Sequence, residues 1–176
     1  MQSALSPKVR PTARRLRESL FELLAARIEN ARFLDLCAGS GAVGIEALSR
    51  GASFVTFVDR SPKMCSFINM NLELCGVPPE QAEVMAEDAT HFLHRAELEQ
   101  ESHWEIAFFD PPYATDYLPV LETFSGNGLL KRKGGVLVVE HQSDNELPER
   151  INALRRWRII RQGESCLSFY ERKNNV

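Results

Sequence analysis

The 176-residue chain predicts a single α/β domain built on a seven-stranded, mostly parallel sheet with an antiparallel C-terminal end and helices on both faces. Three observations predict it. Short apolar runs alternate with helical patterns along most of the chain, and such alternation lays strands side by side in parallel with helices packed over them. Two last runs, Arg158-Ile159-Ile160-Arg161 and Cys166-Leu167-Ser168-Phe169-Tyr170, surround Gly163 with no helical stretch between, so they pair as a hairpin closing the sheet edge. A composition of 44% hydrophobic and 26% charged residues fits one domain with a real core.

The elements follow in order. Residues 1–11 read as a basic arm and residues 12–176 as the domain. Thr12 is placed to cap a helix reaching to about Ile28, with Leu16, Leu20, Phe21, Leu23 and Leu24 as its apolar stripe. Phe33 to Cys37 is the first strand, and Gly39-Ser40-Gly41 a tight turn after it. Ala42 to Arg50 is a helix stopped by Gly51. Phe54 to Val58 is the second strand and ends at Asp59; Ser61 caps the next helix, with Pro62 at its first position, and the helix runs to about Leu74. Ala82 to Ala86 is a weaker third strand followed by Glu87-Asp88, and His91 to Glu99 is helical. Trp104 to Phe109 is the fourth strand, Leu118 to about Phe124 a helix, and Gly135 to Val139 the fifth strand, ending at Glu140.

Several classes are excluded or disfavoured. No window is apolar enough to span a membrane, and Met1-Gln2-Ser3-Ala4-Leu5 lacks the apolar core of a secretion signal. Cys37, Cys65, Cys75 and Cys166 show no C-x-x-C spacing, which reads as reduced, mostly buried thiols of a cytoplasmic protein without a metal centre; a monomer is only the default expectation. The net charge of −3 argues against a general nucleic-acid binder, but the charge is unevenly spread. Lys8, Arg10, Arg14, Arg15 and Arg17 stand unopposed by any acid from Met1 to Arg17. Such a run is either a phosphate-contacting patch or a solvated helix face.

The chemistry concentrates at strand ends. Asp110-Pro111-Pro112-Tyr113 follows the fourth strand. A carboxylate accepts hydrogen bonds, a rigid imino acid keeps a carbonyl aimed, and a tyrosine offers a flat face. The set suits holding a planar exocyclic amine, although Asp-Pro-Pro is also ordinary turn chemistry. At the first strand, Gly39-Ser40-Gly41-Ala42-Val43-Gly44 is a G-x-G-x-x-G turn, which alone suggests a dinucleotide. Asp35 argues otherwise, because a carboxylate a few residues before the glycines repels pyrophosphate and attracts a cation. S-adenosylmethionine carries an ammonium, a sulfonium and no phosphate. Asp59, about twenty residues past the glycines, sits where a carboxylate holds ribose hydroxyls, and Asp88 where a side chain accepts from an adenine amine.

These residues resemble class I S-adenosylmethionine-dependent methyltransferases. Arg10-Pro11-Thr12, Arg17-Glu18-Ser19-Leu20-Phe21 and the block from Leu34 to Ala52 narrow the resemblance to the RsmD family, over about Arg10 to the C-terminus. The resemblance implies a Rossmann-like class I methyltransferase fold, S-adenosyl-L-methionine as cofactor, and methyl transfer to the N2 amine of a guanine in 16S ribosomal RNA. It implies cofactor contacts at Asp35, Ala38, Gly39, Ser40, Gly41, Asp59, Arg60, Asp88 and Ala89. The target base falls to Asp110, Pro111, Pro112 and Tyr113, and RNA contacts to Lys8, Arg10, Thr12, Arg14, Arg15 and Arg17. Family members carry a basic, glycine-containing hairpin before the Arg-Pro-Thr segment; here nine residues precede Arg10.

Three rivals stay open at this point. One is an amine methyltransferase acting on adenine N6 or protein glutamine, where related motifs occur. A second is an RNA-binding module of the same fold without turnover, and a third a dinucleotide-dependent oxidoreductase. His91 and His94 read as surface or half-buried histidines, His141 as a neighbour of the pocket mouth without an assigned role, and Trp104 and Trp157 as packing anchors.

Overall fold

Along the chain run α1 (Pro11–Leu24), β1 (Arg32–Leu36), α2 (Ala42–Ser49), β2 (Phe54–Asp59), α3 (Pro62–Leu74), β3 (Ala82–Ala86), α4 (Ala89–Glu99), β4 (Ile106–Phe109), α5 (Leu118–Ser125), β5 (Val136–Gln142), β6 (Arg150–Ile151), β7 (Leu154–Gln162) and β8 (Ser165–Arg172). The structure is a computed structural model and describes residues 11–99, 103–126 and 128–173. The arm expected at residues 1–11 lies outside the described residues except for Pro11, which opens α1.

One sheet holds all eight strands in the order β3-β2-β1-β4-β5-β8-β7-β6. β1 to β5 are mutually parallel, and β8 and β7 return antiparallel beyond β5. Strand order reverses between β1 and β4, which opens a crevice at their carboxyl ends. Strand side chains alternate between the faces. Phe33, Phe57 and Phe108 pack under α1, α2 and α3, whereas Leu34, Val58 and Phe109 pack under α4 and α5. Both cores consist of residues with almost no exposure, which explains why β1 and β4 read as continuous apolar runs.

The structure departs from the sequence expectation in several places. α1 begins at Pro11, so Thr12 lies within the helix and is not its cap, and it ends at Leu24. Proline suits a first helical turn, where its missing N–H is no loss. α4 begins at Ala89, two residues before His91, because the Asp88 carboxylate accepts the N–H groups of Thr90 and His91. Trp104 is not in β4; it bridges Leu130 while its neighbours turn. β5 continues to Gln142, since β8 pairs with it as far as Ser165. The eighth strand, β6, is a two-residue addition against the start of β7.

Candidate active site

The glycine turn is built by hydrogen bonds from both sides. Gly39 (φ 57°) and Gly41 (φ 81°) take left-handed backbone, as does Cys37 (φ 60°) between them and β1. The Ser40 carbonyl accepts the side-chain amide of fully buried Asn71 on α3 at 3.0 Å. Gly39 donates its N–H to Asp59 Oδ2 at 3.0 Å, and Ser61 donates to Asp59 Oδ1 at 2.9 Å. Asp59 therefore ties the turn after β1 to the start of α3.

Asp35 does not stand at the wall of the cavity where the sequence expectation put it. It is buried, and its Oδ2 accepts the Gly44 N–H at 3.0 Å, steadying the first turn of α2. Burial pushes its carboxyl up to about 8, opposed by the Gly44 bond and reinforced by Asp59. Gly44 has a packing role: a Cβ there meets the Phe57 ring at 2.4 and 2.8 Å.

A cavity of about 390 Å³ opens at the carboxyl ends of β1, β2, β3 and β4, within the roughly 300–1,000 Å³ of small-molecule pockets. Its wall includes Cys37, Asp59, Arg60, Asp88, Ala89, Asp110, Pro111 and Pro112, together with Glu87, Thr115 and Asp116. Gly39 reaches this wall through its bond to Asp59 and Ala38 through its N–H on the Val58 carbonyl, whereas Ser40 and Gly41 are not among the wall residues. Asp88 uses Oδ2 to cap α4, while the rest of its carboxylate faces the cavity; the Thr90 hydroxyl holds its pKa down. Asp88 thus caps α4, Asp59 braces the turn ahead of Ser61, which caps α3, and both acids line the cavity as well.

The cavity is strongly negative. Burial pushes the Cys37 thiol up to about 12, and Asp59, Asp110, Asp35 and Asp88 each add to it. Four acidic residues, one from the end of each of four adjacent strands, thus surround one point; Asp88, held down, is charged there at neutral pH, whereas Asp35, up at about 8, is mostly protonated. A dinucleotide fits badly here: the field repels phosphate, and the Gly39 N–H that would cradle it is taken by Asp59. A sulfonium with an ammonium group fits the donor set, and Gly39 has nothing within 4 Å of its Cβ direction.

Asp110 sits at the rim and also lines a smaller cavity of about 160 Å³ under α1, shared with Arg17, Leu16 and Glu140. Its surface opens on these cavities, yet protein surrounds the carboxyl, and desolvation raises its pKa well above the usual range, with Glu140 and Asp35 adding to it. Glu140 lines the same small cavity as Asp110, and both carboxyls are raised, chiefly by burial. Sequence reasoning noted Glu140 as a strand end without giving it a role; the signal was the same strand-end acid that marked Asp59. Tyr113 is 71% exposed at the rim. Arg14 and Arg15 are exposed, Arg17 is paired with Glu46 at 3.4 Å, and Lys8 and Arg10 lie outside the described residues. His141 is buried, with its ring nitrogens on the Gln142 carbonyl and the Ser168 hydroxyl. Among the described residues no His, Cys, Asp and Glu group is arranged to hold a metal ion, and no helix is long and apolar enough to cross a membrane.

The Asp35 carboxyl has a thermodynamic consequence. Its unfolded pKa is about 3.9 and its folded pKa about 8. Burial favours the protonated form, so its contribution to stability is fully present below the unfolded value and is lost as pH rises through the folded one. Melting temperature without ligand is expected to fall between pH 5 and pH 8, and Asp35→Asn to shrink that slope. Asp110 and Glu140 contribute with the same sign, so some slope remains; an Asp35→Asn profile parallel to wild type would refute the assignment.

A family model described as Conserved hypothetical protein 95 matches residues 1–171. Ribosomal RNA small subunit methyltransferase D of Haemophilus influenzae is 30% identical over 171 residues, covering 97% of this chain and 85% of that protein. The protein of that name from Escherichia coli K12 is 32% identical over 172 residues, 96% of this chain and 82% of that one. Among solved structures, Escherichia coli yhhF superposes with a TM-score of 0.83 at 30% identity, spanning 96% of this chain and 90% of that one. SMU.776, solved with SAH bound, shares the fold at 14% identity and a TM-score of 0.76, over 93% of this chain and 50% of that one. With the glycine turn, the strand-end acids and the Asp110 block all in place, the chain belongs to the Cons_hypoth95 family, the RsmD family its sequence resembles.

Proposed function

We propose that the chain transfers a methyl group from S-adenosylmethionine to the N2 amine of a guanine in small-subunit (16S) ribosomal RNA, in the cytoplasm. The observation that carries this reading is the single cavity that Asp59, Asp88, Asp110, Pro111 and Pro112 line together at the strand ends, with exposed Tyr113 next in the chain. When bound, S-adenosylmethionine supplies an electrophilic methyl group. Asp59 and Asp88 would hold its ribose and adenine, and Asp35 would favour its positive charge from behind the glycine turn.

The remaining chemistry belongs to side chains at the ends of β4 and β5. A guanine turned out of its stack costs a few kcal/mol, on the order of what stacking on Tyr113 returns, about 1–3 kcal/mol. The amine lone pair is delocalised into the ring, so the amine is a weak nucleophile. Its two N–H groups would donate to Asp110 and to the Pro111 carbonyl, bending the nitrogen toward tetrahedral. A donated N–H favours negative charge on Asp110, against the burial that raises it. The methylated amine then releases a proton readily, and placement in line supplies much of the rate.

The test is labelled-methyl transfer to small-subunit RNA from cells lacking this protein, with and without bound ribosomal proteins, followed by nucleoside mass spectrometry. Label in N2-methylguanosine is expected. Label in adenine or protein would move the chain to the first rival, and absence of heat on titration with S-adenosylmethionine would leave the inactive module.

A further inference from the structure

β7 carries a second run of positive charge. From Arg150 to Gln162 the chain has Arg150, Arg155, Arg156, Arg158 and Arg161 and no acid. Arg156 is folded back, donating to the Leu147 carbonyl at 3.1 Å and pairing with Glu149 at 3.8 Å. Arg150, Arg155, Arg158 and Arg161 are exposed, and none forms an ion pair among the described residues. Glu171, opposite Arg155 in register, is already paired with Arg27 at 3.5 Å.

The backbone displays these arginines. β6 covers β7 only at Leu154 and Arg155, so among the described residues the edge from Trp157 to Gln162 has no partner strand. Strict alternation would put Arg155 and Arg158 on opposite faces. A register shift between Arg156 and Arg158 brings Arg158 opposite Phe169, on the face that Arg155 shares opposite Glu171. Trp157 packs against the Phe169 ring at 5.4 Å and lies under Arg27 at 5.8 Å, which holds the shift in place. Arg161, opposite Cys166, projects from the other face, so the three arginines flank the open edge on both sides, about 10 Å apart along the strand.

The strip reaches the active site. Arg161, Cys166 and His141 form one row across β7, β8 and β5, and His141 follows Glu140, which lines the small cavity with Asp110. Two strand spacings, about 10 Å, separate the strip's upper end from β5. At the same end Gln162 donates to the Ser19 hydroxyl of α1 at 3.4 Å, and exposed Arg15 stands one helical turn before Ser19. Basic residues thus run from α1 down the open edge of the sheet.

We propose that Arg155, Arg158 and Arg161 form a contact for the sugar–phosphate backbone of the RNA whose base enters the site; this rests on the proposed function. Charge on an edge strand, lysine above all, also blocks strand pairing between molecules; arginine adds a planar fork that matches a phosphate. A run of arginine alone, on a chain of net charge −3, suits a polyanion.

The experiment uses the full chain and small-subunit RNA, with affinity measured across a salt series. The triple variant Arg155→Gln, Arg158→Gln, Arg161→Gln is expected to bind RNA at least about tenfold more weakly and to lower the slope of log affinity against log salt by about 2–3. S-adenosylmethionine binding by calorimetry should be unchanged, and the triple change to lysine should restore the slope. If the glutamine variant disturbs folding, Arg158→Gln and Arg161→Gln are measured singly, each with a slope change of about 0.7–0.9. A glutamine variant that binds donor, keeps the wild-type slope and merely self-associates on size exclusion would overturn the proposal and leave the arginines as edge guards. A wild type that methylates RNA while the variants bind it equally well removes only this inference; a wild type without salt-dependent RNA binding removes the proposed function with it.

Discussion

Replacing Asp110 by alanine is expected to lower kcat by about 10²–10³-fold, the usual loss when a preorganised polar contact to the reacting group is removed. Affinity for S-adenosylmethionine should change little, because Asp59 and Asp88 remain and Asp110 sits at the rim. The variant should fold, since the carboxyl opens on a cavity and removing it relieves the burial of a carboxyl beside Glu140. Asp110→Asn is a sharper probe: it keeps the size and one acceptor but presents an NH₂ where an amine must be received. Glu140→Gln acts through Asp110 and is expected to change the pH profile of kcat more than its maximum. Turnover of Asp110→Ala within a few-fold of wild type would refute the amine-holding role.

The second large effect is on stability. Gly44→Ala places a carbon 2.4 Å from Phe57 Cε1, 2.8 Å from its Cζ and 2.9 Å from Val55 Cγ1. Both neighbours are fully buried side chains of β2, with nowhere to withdraw. Alanine recovers about 1 kcal/mol of helix propensity, but overpacking a core of this kind costs about 1–3 kcal/mol, and overlap this deep belongs at the upper end. A net loss of about 2 kcal/mol is expected, which lowers the melting temperature by roughly 4–8 °C for a chain of this size. Gly39→Ala is the contrast, since nothing lies within 4 Å and only its positive φ is strained; it should cost about 1–2 kcal/mol. An alanine at position 44 as stable as wild type would mean that α2 and β2 have more room than this packing allows.

Much of the architecture was legible because β4 and the first half of β5 are buried on both faces and read as unbroken apolar runs, with β1 and β2 nearly so. The strand-end acids were legible for a related reason: each follows such a run directly, and the topology carries all of them to one rim. What escaped depended on relations that a linear chain does not display. Gly44 looked like part of a cofactor turn, whereas its lack of a side chain serves Phe57 on another strand. Asp35 was placed toward the ligand, but its oxygen turns back to Gly44. Glu140 acquires a role only because β4 and β5 are neighbours, which brings its carboxyl to Asp110. β6 is two residues long and carries no periodicity at all, and nothing in the residue name of Cys37 announces a left-handed backbone.

The position of Cys37 has a further consequence. A thiol in the wall of a chamber built for an alkylating reagent is a standing hazard, since a sulfur nucleophile competes well for such groups. Only the thiolate attacks, and with the thiol pushed up to about 12, roughly one molecule in 10⁵ carries it at pH 7. Burial, with the neighbouring acids adding to it, therefore disarms the nearest wrong acceptor.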